Sequence, residues 1–490
     1  MRMGVLVAAA LLIAACAATR VWLIPARIST NPNEGWNAFQ AAAALGAGPL
    51  YPPPGGLTGN NYPPLSFFIV GWAGRAVGDP ILAGRLISLL SVLLTAGSVF
   101  LCVQRLAPRR SSAPAIAALL LLGFVSTQYR SYLAMDDPQW LAHALMTAAL
   151  AAILPARAEA SPTRLGAAGA AALMVLGGMV KHNLVAFPLA VTVWLALHHR
   201  RALAVWLATA AAALLACAVA ALAAFGGAFF VDLLAADRRY SAVRMLKAGL
   251  PVLAVLPLLA LAVGLVPRRR QDTRIDLLLL CVAIALPLGV LQRAGEGVNV
   301  NAHFEALIAL CICGGVFIAQ PGPGRRTPAV ALLLAAPFMV LAPLALRTSY
   351  REVRGHAAAQ AAWAQMEGRV SAVPGAVACE APALCYWAGE PFVLDMFLYG
   401  QHVSRRHDAS ALSLALDRGA VAAVQLDAPH PPRLGDAPDP LPALIAARGA
   451  PAFVASDGRR LFLMAKPGGR GVDRGRAVGA PAPDGRRRGG

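Results

Sequence analysis

The feature that most constrains this chain is a succession of apolar blocks, each roughly 15 to 25 residues long, separated by short polar breaks that contain arginine. As a helix, a block of that length crosses the ~30 Å hydrocarbon core of a bilayer. The bulk composition agrees. The chain is 58% hydrophobic and 14% charged, where a soluble domain carries about a quarter charged residues. The expected class is a polytopic α-helical membrane protein.

The blocks give eleven expected spans, at 4–24, 81–104, 113–127, 139–155, 164–180, 184–198, 202–225, 250–266, 275–291, 303–319 and 327–346. With a cytoplasmic N-terminus, "RLAPRRSSA", "ARAEASPTR", "HHRR", "PRRRQDTR" and "QPGPGRR" all fall on the cytoplasmic side. The opposite side receives 25–80, "QYRSYLAMDDP", "GGAFFVDLLAADRRYSAVRMLKAGL" and "QRAGEGVNVNAH". Short basic loops on one side are what orientation by Lys and Arg requires. The first block is read as an uncleaved helix with Arg2 inside, in preference to a cleaved leader. An odd number of spans then exports the C-terminal portion. Residues 65–80 read as an interfacial helix, and "KHN" at 181–183 as a tight outer turn.

The net charge of +19 comes from 43 basic and 24 acidic residues. Orientation explains its placement in loops, and the pattern gives no nucleic-acid surface. Six of eight cysteines lie in or beside apolar blocks as small hydrophobes. Cys379 and Cys385 lie outside them and can pair in an oxidising compartment.

From about 347 the pattern changes. "VPGAVACE", "PFVLD", "VAAVQLDA" and "RLFLMAK" are β-like, and "APALCYWAG", "ASALSLALDRGA" and "PALIAARGA" between them are helical. This implies a small α/β unit. The expected organisation is a transmembrane domain over 1–346, with 25–80 as its first extracytoplasmic loop. An extracytoplasmic α/β domain over 347–466 and a disordered basic tail over 467–490 follow.

Polar residues inside or beside transmembrane helices mark sites by default. On the outer side they fall in four places: Glu34; Asp136 and Asp137; Lys181 and His182; and the run Glu296, Asn299, Asn301, His303 and Glu305. Each has a plainer reading. Glu34 can be a solvated loop acid, and Asp137 can cap a helix that starts at Pro138. Lys181 can snorkel to headgroups, and His303 and Glu305 can bond neighbouring helices.

Three stretches of the first loop carry a resemblance: Glu34-Gly35-Trp36, Gly48-Pro49-Leu50-Tyr51 and Asn61-Tyr62-Pro63-Pro64-Leu65. With "GRLISLL" at 84–90, "MDDP", "VKHNL" and "GVNVNAHFE", the chain resembles GT-C superfamily membrane glycosyltransferases. The likeness is to the family 39 type, relatives of protein mannosyltransferases and aminoarabinose transferases. Where family members often carry Asp-Glu or a lone Asp, this chain has Asn33-Glu34.

The resemblance implies transfer of a sugar from a polyprenyl-phosphate carrier to an envelope lipid, glycan or protein, with inversion at the anomeric carbon. The loop topology places the chemistry on the extracytoplasmic face, and the high Ala, Gly and Arg content gives the expectation of a bacterial inner membrane. Such a reaction needs a base near the acceptor hydroxyl and positive charge near the departing phosphate. Glu34 is expected as the base or as an acceptor-orienting carboxylate. Asp136 and Asp137 are expected to orient the acceptor or, with Glu34, to hold a divalent cation (Mg or Mn) through oxygen ligands. Lys181, His182, Arg75 and Arg130 are candidates for the phosphate, and Asn61, Tyr62 and His303 for donor or acceptor contacts. On this reading Glu34→Gln stops transfer and leaves expression intact. A transporter or flippase of lipid-linked sugars, or a non-catalytic scaffold, is the alternative if it does not.

Overall fold

In the computed structural model the described residues are 3–107, 112–235, 237–320, 328–429 and 439–465. The expected disordered tail lies outside them. Near the N-terminus, helix α1 (Met3–Trp22) is followed by a reversal, α2 (Pro32–Ala42), α3 (Leu65–Val77) and α4 (Pro80–Leu106). Local chemistry sets these starts. Asn31 accepts from the N–H of Asn33 ahead of Pro32, and Asp79 accepts from Ile81 and Leu82 ahead of Pro80. Left-handed Gly78 (φ 86°) ends α3.

The bundle continues with α5 (Ser112–Ser126), α6 (Gln139–Ile153), α7 (Arg164–Val180), α8 (Ala186–His198) and α9 (Arg200–Phe225). Next are the short α10 (Ala228–Ala235), α11 (Ala242–Lys247) and α12 (Leu256–Val263), then α13 (Thr273–Gln292) and α14 (Phe304–Ala319). The apolar core runs through α4 to α8, α13 and α14. Helix α14 is enclosed on nearly all sides, whereas α1, α9 and α15 (Pro328–Ser371) keep most of their apolar surface outward.

Seven helical stretches among the described residues are long and apolar enough to cross a membrane: 4–22, 80–106, 200–225, 242–268, 273–292, 300–319 and 329–371. The other four expected spans form helices of 13 to 17 residues. The expected turn at 181–183 lies between α7 and α8. The carboxylate of Glu305 on α14 accepts from the N–H of Phe187 at 3.1 Å, which satisfies a free donor at the start of α8.

The change of pattern at 347 does not end a helix. Helix α15 runs through that position to Ser371, 44 residues in all. Beyond it come β1 (Val377–Cys379), α16 (Pro382–Trp387), α17 (Met396–Arg406), α18 (Ser410–Asp417), β2 (Ala423–Leu426), α19 (Leu441–Arg448), β3 (Gly449–Val454) and β4 (Arg460–Met464). The sheet order is β1-β2-β4-β3; β1 and β2 are parallel, and the other pairs antiparallel. Cys379 and Cys385 form a disulfide across the β1–α16 turn.

Two expectations for this region are corrected. "PFVLD" is not a strand, because Asp395 caps α17 by accepting from the N–H of Leu398. A strand that the sequence reading omitted, β3, is a largely exposed edge with little apolar alternation.

The α/β unit packs on α2. A side chain at Gly35 would run into the backbone of Pro382 and Ala383. Phe39 packs edge-on to Tyr386 and stacks on Phe392, with centroids 5.2 and 4.9 Å away. Gly35→Val is therefore expected to weaken docking by about 1–3 kcal/mol. Limited proteolysis should then cleave the C-terminal unit faster than in the wild type.

Candidate active site

At the end of the bundle where α1 and α7 finish and α4 and α6 begin, α2 brings together residues from distant parts of the chain. Glu34 is fully buried and pairs with Arg85 of α4 through two hydrogen bonds of 2.8 Å. Its oxygens also accept from the backbone N–H of Thr30 (2.8 Å) and of Asp136 (3.2 Å). The rest of the Arg85 guanidinium donates to the carbonyls of Leu23, Ile24, Ala26 and Ile28. This fork holds the reversal between α1 and α2 shut.

The aspartates form the next layer. Asp137 accepts from the N–H of Gln139 at 2.8 Å, so its capping role is real. The same oxygen accepts from Lys181 Nζ at 3.3 Å, and its other oxygen from Asn33 at 3.4 Å. Lys181 is buried rather than snorkelling, and its ammonium lies 5.0 Å from the Tyr62 ring centroid. Burial pulls its pKa down, but Asp137 and Tyr62 more than offset this and leave it above the ordinary lysine value.

Asp136 differs from both other acids. Asn37 donates to its backbone carbonyl at 2.7 Å. Its carboxylate, however, has an oxygen (Oδ2) that is buried with no partner. Burial, then the neighbouring Glu34, hold this carboxyl well above the usual range, against the pull of Arg85. Asn37 Oδ1 and Ser66 Oγ are also buried without partners. All three residues line one small cavity between α2, α3, α4 and the start of α6. Buried polar atoms are ordinarily hydrogen-bonded, which sets these three apart from the paired groups around them. Gly84 also lines this cavity, and a methyl group there would overlap the Asp136 carboxylate. Gly84→Ala is expected to expel that carboxylate from the cavity; activity should fall at least tenfold in an assay, with loss of site geometry as the cause.

The remaining sequence candidates lie elsewhere or have other partners. Arg130 makes two bonds of 2.9 and 2.8 Å to Glu352 of α15, which also binds Arg20. Arg75 is exposed, donates to the Leu45 carbonyl and covers Trp72. His182 is exposed beside Lys181. His303 lines a separate cavity with Tyr129 and Val255. Asn61 has a buried neighbour, Asn60, that fixes the turn by accepting from Tyr62 N–H and donating to the Leu50 carbonyl. A surface recess beside Arg27, Glu367 and Ser371 contains no group of this cluster.

Sequence reading did not single out Arg85, Asn33, Asn37 or Ser66. An arginine inside the apolar run "GRLISLL" was the available signal. The acids do not fit a divalent cation as one ligand set. Glu34 is filled by Arg85 and two backbone donors, and Asp137 by Lys181 and Gln139. No metal-holding group of three His, Cys, Asp or Glu is found among the described residues.

No protein-family model matches the chain, and no curated protein matches it by sequence. Solved structures do match. ArnT from Cupriavidus metallidurans bound to undecaprenyl phosphate superposes with a TM-score of 0.57 at 15% identity, over 92% of this chain and 97% of that one. The chain shares the fold of ArnT. ArnT in the apo state gives 0.55 at 15% identity, over 94% and 97% of the two chains. The oligosaccharyltransferase AglB from Archaeoglobus fulgidus, with an inhibitory peptide and a dolichol-phosphate, gives 0.50 at 12% identity. That match covers 87% of this chain and 69% of AglB. Within this fold, the Asp136 cavity occupies the junction of the first loop and the bundle.

Proposed function

We propose that this chain is a bacterial inner-membrane glycosyltransferase that moves a sugar from a polyprenyl-phosphate carrier to a cell-envelope acceptor. The observation that carries the proposal is the buried, unpaired carboxylate oxygen of Asp136, a residue that lines a cavity with Asp137, the partner of Lys181, in a GT-C-like bundle. The bound undecaprenyl phosphate of the ArnT structure and the dolichol-phosphate of the AglB structure favour a lipid-phosphate donor. The Cys379–Cys385 bridge favours an oxidising compartment for the C-terminal unit, which supports an extracytoplasmic site with the N-terminus cytoplasmic. The division into 1–346 and 347–466 is kept as a functional one, with α15 shared between them.

Asp136 takes the proton from the acceptor hydroxyl. The acceptor oxygen bonds to the anomeric carbon as the bond to the carrier phosphate breaks, which inverts that centre. A base is most effective when its pKa lies near the working pH, and burial moves Asp136 in that direction. Lys181, fixed by Asp137 and Tyr62, offers its remaining donors to the leaving phosphate. Glu34 is assigned to structure: with Arg85 it supports the loop that carries the aspartates. No step is routed through a metal ion.

The test is mass spectrometry of lipids and envelope glycans from a strain lacking the chain. A sugar-bearing species should be missing, should return with the wild-type chain and should stay missing with Asp136→Asn. No difference between deletion and wild type overturns the transferase reading in favour of transport or scaffolding. Full restoration by Asp136→Asn overturns the choice of base.

A further inference from the structure

Helix α2 is gripped on two sides. Toward the bundle, Asn33 donates to Asp137, Glu34 binds Arg85 and Asn37 donates to the Asp136 carbonyl. Toward the C-terminal unit, Gly35 meets α16, Phe39 packs on Tyr386 and Phe392, and Trp36 Nε1 donates to Asp395 Oδ2 at 2.8 Å. The helix is only 11 residues long, so both grips act on a single rigid piece.

Asp395 is fixed independently of Trp36. It is buried, its N–H donates to the Leu57 carbonyl at 2.8 Å, and its other carboxylate oxygen caps α17. The Trp36 ring lies edge-on to Tyr62 (5.4 Å) and Phe67 (5.7 Å). Tyr62 in turn lies under Lys181, and Phe67 lines the Asp136 cavity. One hydrogen bond between residues 359 positions apart thus joins the α/β unit to both aspartates.

We infer that the C-terminal α/β unit is a positioning element of the active site, and that Trp36 and Asp395 are the positioning residues through which it acts. The unit sets the pose of α2, and α2 sets Asp136, Asp137 and Lys181. The activity readout rests on the transferase reading above; the structural readout does not.

A double-mutant cycle tests this in the full-length chain in nanodiscs. Trp36→Phe keeps the ring against Tyr62 and Phe67 but has no N–H. Asp395→Asn keeps a good cap for α17 but turns an amide donor toward Trp36. The donor probe is undecaprenyl phosphate carrying the sugar missing from the deletion strain. Each single variant is expected to lower kcat roughly tenfold with KM for the donor within about twofold. The double variant should be no slower than either single one, because both remove the same bond. Unchanged kcat in the single variants, or fully additive losses, overturns the inference.

Hydrogen exchange gives the arm that is independent of chemistry. Amides of 30–42 and 133–139 should exchange faster in both variants, while 377–379 and 423–426 keep wild-type protection. If exchange at 30–42 and 133–139 stays at the wild-type rate, the inference fails whatever the activity. If exchange rises there but the wild type transfers no sugar, the function falls and the mechanical link stands.

Discussion

Arg85→Met is expected to destabilise the protein by about 3–5 kcal/mol, because it leaves a fully buried carboxylate without its cation. The carbonyls of Leu23, Ile24, Ala26 and Ile28 lose their donors at the same time. The loss should appear as a sharp fall in the thermal midpoint in detergent and in the yield of folded protein. Adding Glu34→Met to Arg85→Met removes the stranded charge, so the double variant should recover part of the loss. Glu34→Gln should behave in the same sense, since its amide presents donors to a guanidinium that has only donors. The sequence-based expectation of intact expression for that variant is therefore replaced by reduced yield. If Arg85→Met melts with the wild type, the structural role given to this pair is wrong.

Asp136→Asn is expected to lower the transfer rate by about 10²–10⁴, the range for loss of a general base. The same variant should melt higher than the wild type at neutral pH. The sign follows from linkage. With the folded carboxyl raised above its unfolded value, the native state holds a proton that the unfolded state has released, so stability falls as pH rises through that window. Above it the ionised group opposes folding, and asparagine removes that opposition. Activity runs the other way: the base must be ionised, so the wild-type rate falls on acidification through the raised pKa. A pH–rate profile should show this acid limb well above the ordinary carboxylate range, and the residual activity of Asp136→Asn should lack it. A wild-type limb at the ordinary value would remove Asp136 from the role.

The helices and the meeting of Asp136, Asp137 and Lys181 were legible because hydropathy and helix-end chemistry are local signals. The "MDDP" stretch carries both an aspartate cap and a polar group at depth. The partner of Glu34 was not legible, because Arg85 sits in a run that hydropathy reads as ordinary span, whereas Lys181 stands in a polar break. Arg274 repeats the lesson, since it binds Asp272 and the carbonyls of Arg105 and Pro155. In both cases a guanidinium at a helix start collects carbonyls from breaks in the chain. The second half of α15 escaped because "GHAAAQAAWAQMEGRV" lacks an apolar block, although its alanine, glutamine and glutamate are strong helix formers. The Trp36–Asp395 bond had no local signature at all.

That long helix has a consequence for movement. At 1.5 Å per residue its 44 residues extend about 66 Å, roughly twice the hydrocarbon thickness. Only residues 372–376 separate it from β1, and its last turns pack on the α/β unit through Trp363, Met366 and Val370, so no long linker joins the two. The prolines inside it are Pro337 and Pro343, both in the apolar half, and proline is where a helix flexes. Rocking of the α/β unit with this helix would therefore find its flexible points in the apolar half, away from the sheet.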